Sequence, residues 1–129
     1  MKREYYSSGT AWEPVVGYSR AIRVGDRVLV SGTTATLPDG SIDGRGDPAR
    51  QTRRCLANIE TALEALGSNL SEVVRTRIYV TDITAWEAVG RVHGEAFAGI
   101  RPVTAMVEVS RLIGDDILVE IEAEAVAAG

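Results

Sequence analysis

Two runs near the end of the chain alternate with a period of two. In the first, Val103, Ala105, Val107 and Val109 alternate with Thr104, Met106, Glu108 and Ser110. In the second, Ile117, Val119, Ile121, Ala123 and Ala125 alternate with Leu118, Glu120, Glu122, Glu124 and Val126. Successive side chains of a strand point to opposite faces, so each run predicts a strand with one greasy face and one more polar face. A third run, Val73 to Thr81, sets Val74, Thr76, Ile78 and Val80 against Arg75, Arg77 and Tyr79. Two shorter β-rich runs, Ala21 to Val24 and Arg27 to Ser31, flank Gly25-Asp26 and predict a hairpin. The period changes between Asp47 and Gly67, where Cys55, Leu56, Ile59, Ala62, Leu63 and Leu66 recur at helical spacing. Asp47 is a natural cap, Pro48 suits the first helical turn, and Gly67 suits the end. A second helix is predicted from Thr84 to Ala98, with Trp86, Val89, His93, Ala96 and Phe97 facing inward. Either Asp82 or a Thr84–Glu87 capping box can start it. Gly90 and Gly94 within it suggest a close approach by another backbone. Residues 1 to 17 and Leu37 to Asp47 read as irregular, with Pro38-Asp39-Gly40 a turn signal.

The predicted order is therefore strand, strand, helix, strand, helix, strand, strand. A helix between Val73–Thr81 and the Val103 strand implies a parallel, right-handed crossover, and the last two strands can pair antiparallel. The expected fold class is α+β, a two-layer sandwich with a mixed β-sheet and two helices on one face. The other face would carry Arg75, Arg77, Tyr79, Thr104, Met106, Glu108, Glu120, Glu122 and Glu124. It faces either solvent or a partner with polar groups to offer.

Composition narrows the picture further. A chain of 129 residues fits one domain, 1–129, able to bury roughly two-thirds of its unfolded surface. The net charge of −4 and the lack of a dense basic block argue against nucleic-acid binding. No apolar run approaches the roughly 20 residues of a membrane helix, and no apolar signal segment follows Met1, so a cytoplasmic protein is expected. The single Cys55 excludes a disulfide within the chain. Cys55 and His93 both lie on apolar helix stripes, where a packed residue is the ordinary outcome. No residue cluster has metal-ligand spacing and no glycine-rich phosphate loop follows a strand, so no cofactor is expected.

The pattern Pro102-x-Thr104-x-x-Val107-Glu108-Val109-x-Arg111-Leu112, followed by Val119-Glu120-Ile121-Glu122-Ala123, resembles the C-terminal signature of the Rid family of imine/enamine deaminases, the YjgF/YER057c/UK114 superfamily. Gly17-Tyr18-Ser19-x-Ala21, Ser31-Gly32, Gln51 with Asn58-Ile59, and Ala65-x-Gly67 with Val73-Val74 extend the resemblance to residues 17–126. It implies a chorismate mutase-like, YjgF-like sandwich assembled as a homotrimer, with a small-molecule ligand in clefts between subunits. It also implies hydrolysis of reactive imines and enamines to a 2-oxo acid and ammonia, without a cofactor.

Such chemistry must hold a carboxylate, place a water beside the C=N carbon and supply a proton to nitrogen. By resemblance Glu120 is the catalytic group, and Tyr18, Ser31, Gly32 and Thr104 border the substrate. The chain departs from the family at one of these. Members with deaminase activity carry arginine where this chain has Thr104, which makes it a divergent member with altered or weak activity expected. Thr104 offers no charged fork, whereas each hydrogen bond to a charged group is worth about 1.5–3 kcal/mol. Arg77, with Arg75 beside it, is the candidate replacement on the neighbouring strand. Two other readings stand beside deamination: a non-catalytic metabolite- or partner-binding module using the same cleft, and an enzyme for a less charged substrate. The acidic balance argues against the ribonuclease activity ascribed to some members.

Overall fold

A computed structural model describes residues 1–128. Its sheet has six strands: β1 (Arg3–Tyr6), β2 (Ala21–Val24), β3 (Arg27–Thr33), β4 (Val73–Val80), β5 (Val103–Glu108) and β6 (Val119–Val126). Their spatial order is β1-β2-β3-β6-β4-β5. Helices α2 (Pro48–Ala65) and α3 (Trp86–Ala96) pack against each other over one face. The α+β sandwich and its mixed sheet are as expected, and β4 pairs parallel with β5 through the α3 crossover.

Residues 1–17 are only partly irregular. They include β1, which pairs antiparallel with β2, and the short helix α1 (Trp12–Val16). All but one residue of β1 is exposed, so no apolar alternation marks it. The last two strands run in opposite directions but are not neighbours, because β6 lies between β3 and β4, antiparallel to both. Val119, Ile121, Ala123 and Ala125 are all buried, which suits a central strand, while β5 is exposed along most of its length and takes the edge.

The helix signals act locally as expected. The Asp47 carboxylate accepts from the Arg50 amide at 3.1 Å, and Gly67 takes φ 78° just past α2. Cys55, Ile59 and Leu63 are fully buried under the sheet. Buried Gln51 donates to the Asp116 carbonyl at 2.8 Å and accepts from the Leu118 amide at 2.8 Å, fixing the loop that delivers β6. Asp82 caps a 3-10 turn, Ile83–Ala85, ahead of α3, and the Thr84–Glu87 box does not form. Trp86, predicted inward, is 58% exposed. It opens the helix rather than sitting inside it, and buried Val92 completes the inner stripe with Val89 and His93. Gly90 and Gly94 receive no backbone within 4 Å, so the expected close approach is absent within the chain.

Two strand faces also differ from expectation. An irregularity between Val73 and Arg75 buries Val73 and turns Val74 outward. In β5, Thr104 pairs with Thr76 and Met106 with Ile78, so Thr104, Met106 and Glu108 lie on the helix side. Val103, Ala105 and Val107 share the open face with Arg75, Arg77 and Tyr79.

Candidate functional site

The open face is governed by β6. Glu120, Glu122 and Glu124 stand opposite Tyr79, Arg77 and Arg75 on β4. Arg77 pairs with Glu124 at 3.4 Å, and Tyr79 donates its hydroxyl to Glu122. Arg75 makes no ion pair among the described residues. Neither arginine pairs with Glu108 or Glu120. Glu108 is on the other face, where it accepts from the Ile83 amide at 3.0 Å.

Glu120 is half-buried at the end of this row. Its carboxylate rests directly on Gly32, and a β-carbon at residue 32 would collide with it. Gly32 is therefore required by close approach and not by a left-handed turn. The irregular register of β3 between Val30 and Thr33 brings the glycine there. Burial raises the Glu120 pKa above the ordinary carboxylate value, Arg20 opposes that shift and Glu122 adds to it.

Arg20 is the residue that the sequence pattern passed over, the unassigned position in Gly17-Tyr18-Ser19-x-Ala21. Its Nη2 donates to the Gly32 carbonyl at 2.6 Å, and its guanidinium lies 5.5 Å from the centre of the Tyr18 ring. Its Nε is buried without a hydrogen-bond partner, alone in that respect among the described side-chain nitrogens and oxygens. Alternation was a signal for it, since buried Ala21 places Arg20 and Ile22 on the open face. Ser31 is anchored beside it, donating its hydroxyl to the Ser19 carbonyl at 2.7 Å.

Tyr18, Ser31, Gly32 and Glu120 thus gather around Arg20. Tyr18, Ser31 and Arg77 also line an open hollow of about 480 Å³ with Leu29, Glu122 and Glu124, and Glu120 and Gly32 stand outside its wall. Arg77 is engaged by Glu124, two register positions along β4 from Tyr79, which faces Glu120. Thr104 does not join the group. It is on the opposite face of the sheet, bonded to Thr76 at 2.7 Å. The edge position of β5 set this, because its parallel register with β4 and not its own apolar pattern decides which residues turn inward.

Cys55 lies behind the site with its thiol directed at the Val119 carbonyl at 3.7 Å. Burial first, and the Glu120 charge second, push that thiol well above its ordinary pKa, so it is no nucleophile. No group of three or more metal-ligating side chains occurs among the described residues. No helix among them is long and apolar enough to cross a membrane.

The model of the family described as endoribonuclease L-PSP matches residues 8–127. A crystal structure of a YjgF/YER057c/UK114 family member from Mycobacterium tuberculosis is 54% identical and superposes with a TM-score of 0.89, covering 98% of this chain and 100% of that one. A RutC family protein of Pyrococcus abyssi is 35% identical, over 95% of this chain and 96% of its own. A crystal structure of Escherichia coli TdcF with bound serine is 27% identical with a TM-score of 0.78, covering 86% and 88% of the two chains. With the family model matching nearly the whole chain and these relatives superposing on its fold, the chain belongs to the YjgF/YER057c/UK114 (Rid) superfamily.

Proposed function

We propose that the protein binds a small imine or enamine in clefts between copies of the chain and hydrolyses it to a carbonyl compound and ammonia. The observation that carries this reading is Glu120, a half-buried carboxylate of raised pKa held on a glycine beside an arginine. Such a group keeps part of its protonated form nearer neutrality than an ordinary glutamate. It can orient water toward the C=N carbon and return a proton to the nitrogen that leaves as ammonia. One water is consumed, and the imine carbon becomes the carbonyl carbon. The serine-bound relative supports a ligand of amino-acid size. Clefts between copies are supported by the placement of Glu120 and Thr104 on opposite faces, since the two reach one ligand only across two chains.

Among the described residues, the two arginines at the site are both engaged. Arg77 is paired with Glu124, and Arg20 holds the Gly32 carbonyl. Turnover of carboxylate-bearing imines should therefore fall below that of relatives with arginine at position 104. A neutral threonine in place of a charged fork costs roughly one to several powers of ten in binding. The same observation favours a second reading, a cleft that binds without catalysis.

Ammonia release from 2-iminopropionate, generated in situ, tests both. Under the enzymatic reading, Glu120→Gln lowers kcat by about 10²–10⁴-fold, the usual range for a general acid–base group. Gly32→Ala should lower it as well while leaving the melting temperature nearly unchanged. The displaced Glu120 is the far end of a flexible side chain, so the protein yields without strain. Saturable binding without ammonia release, unaffected by Glu120→Gln, would establish the binding module instead.

A further inference from the structure

On the helix side of the sheet, a chain of three polar side chains runs from the core to the surface. His93 is buried, with its ring centre 4.7 Å from that of Phe97. Its Nε2 lies 2.8 Å from the hydroxyl of Thr76, which is fully buried. Thr76 in turn donates to the Thr104 hydroxyl at 2.7 Å, and Thr104 is exposed on the edge strand β5. A hydroxyl has one proton and two lone pairs. Because Thr76 spends its proton on Thr104, its contact with His93 is satisfied only if Nε2 carries the ring proton. The direction of the chain follows: His93 donates to Thr76, Thr76 donates to Thr104, and the Thr104 hydroxyl keeps its own proton for a further acceptor. Burial lowers the His93 pKa, which favours the neutral ring.

We propose that Thr104 is a specificity-determining donor, set by His93 and Thr76, that selects ligands presenting an uncharged acceptor such as an amide or ester carbonyl. This rests on the cleft reading above and names the class of ligand the cleft takes. A carboxylate brought to this position would meet one neutral hydroxyl in place of a charged fork, and that single donor does not offset the cost of desolvating it. A carbonyl oxygen needs only the single donor that Thr104 presents. Thr76 and His93 are positioning residues, acting through Thr104 without touching the ligand.

The chain has one histidine, so its two ring nitrogens are assigned without ambiguity in a ¹⁵N-labelled sample of the whole protein. The expected neutral tautomer carries its proton on Nε2, and a proton on Nδ1 overturns the proposal. Binding is then compared for pyruvate, the product of 2-iminopropionate hydrolysis, and its amide analogue pyruvamide, which differ in charge but little in size. The wild-type chain should prefer pyruvamide, and Thr104→Val should erase that preference by about three- to tenfold, the worth of one neutral hydrogen bond. Thr76→Val should weaken it while Thr76→Ser restores it, a rescue that a purely packing role would not give. Thr104→Arg should reverse it in favour of pyruvate. A preference for pyruvamide that survives Thr104→Val overturns this proposal alone. Failure of both analogues to bind the wild-type chain overturns the cleft reading as well.

Discussion

Glu120 shows how a single residue acquires chemical character from its neighbours. Glu120 belongs to the same alternating run as Glu122 and Glu124, and burial raises its pKa above the ordinary carboxylate value. Its seat is on Gly32, one that no residue with a β-carbon could provide. That seat has a thermodynamic consequence. A carboxyl group whose pKa is higher folded than unfolded favours the fold below the unfolded value of 4.5. That contribution is lost as pH rises through the folded pKa, so an ionised Glu120 is a liability at neutrality. Glu120→Gln should therefore melt at a higher temperature than the wild type at neutral pH, with the gap closing well below pH 4.5. Thermal melts across that range check it. A variant less stable than wild type at neutrality would mean that Arg20 attracts the carboxylate more strongly than burial penalises it.

Among the elements, legibility followed the strength of the local signal. The α2 signals were complete in sequence: a capping aspartate, a proline in the first turn, a buried stripe and a terminal glycine, each acting through contacts a few residues away. The run Val119 to Ala125 was equally plain, because a central strand buries one side along its whole length. β1 was invisible, since an exposed edge strand has no buried face to betray it. Thr104 was assigned to the wrong face because greasy Val103, Ala105 and Val107 were expected to turn inward. On an edge strand the register with the neighbour decides instead, and that register is a long-range fact. The Glu120 half of the site was thus legible from motif and alternation, and alternation with Ala21 also marked the face of Arg20, whereas the contacts of Arg20 and the true side of Thr104 emerged only from the assembled sheet. The connection from α3 to β5 carries another feature of this kind. Arg101 is the one non-glycine among the described residues with a left-handed φ, 55°, and its amide bonds to the Phe97 carbonyl at 2.9 Å. A residue with a β-carbon pays about 1–2 kcal/mol there, and glycine's greater freedom in the unfolded chain returns roughly half of that. Arg101→Gly should accordingly stabilise the protein by about 0.5–1 kcal/mol, measured by denaturant titration. A loss of stability would show that the arginine side chain contributes more than its backbone costs.

For the molecule as a whole, the open face is the feature that one copy leaves unexplained. Val103, Val107, Val126 and Leu29 are 59%, 46%, 43% and 36% exposed there, among charges of both signs on β3, β4 and β6. Apolar surface left on a sheet face favours covering, and interleaved arginines and glutamates allow a second copy to meet it without stranding one sign of charge. The proposed homotrimer would place that face at the contact and bring Thr104 of one copy toward Glu120 of another. Val107→Asp tests this, because residue 107 is exposed in the protomer and its replacement disturbs no core contact. Sedimentation equilibrium should give a three-copy mass for the wild type and a one-copy mass for the variant, with the circular dichroism of the fold retained. Turnover should disappear with the assembly even though every residue around Glu120 is intact. Mixed assemblies of Glu120→Gln and Thr104→Val chains should then regain wild-type sites that neither parent has, since each cleft draws its two functional residues from different copies. A wild-type protein that sediments as one copy and still turns over would place the whole site within a single chain, where the opposite facing of Glu120 and Thr104 leaves Thr104 no role.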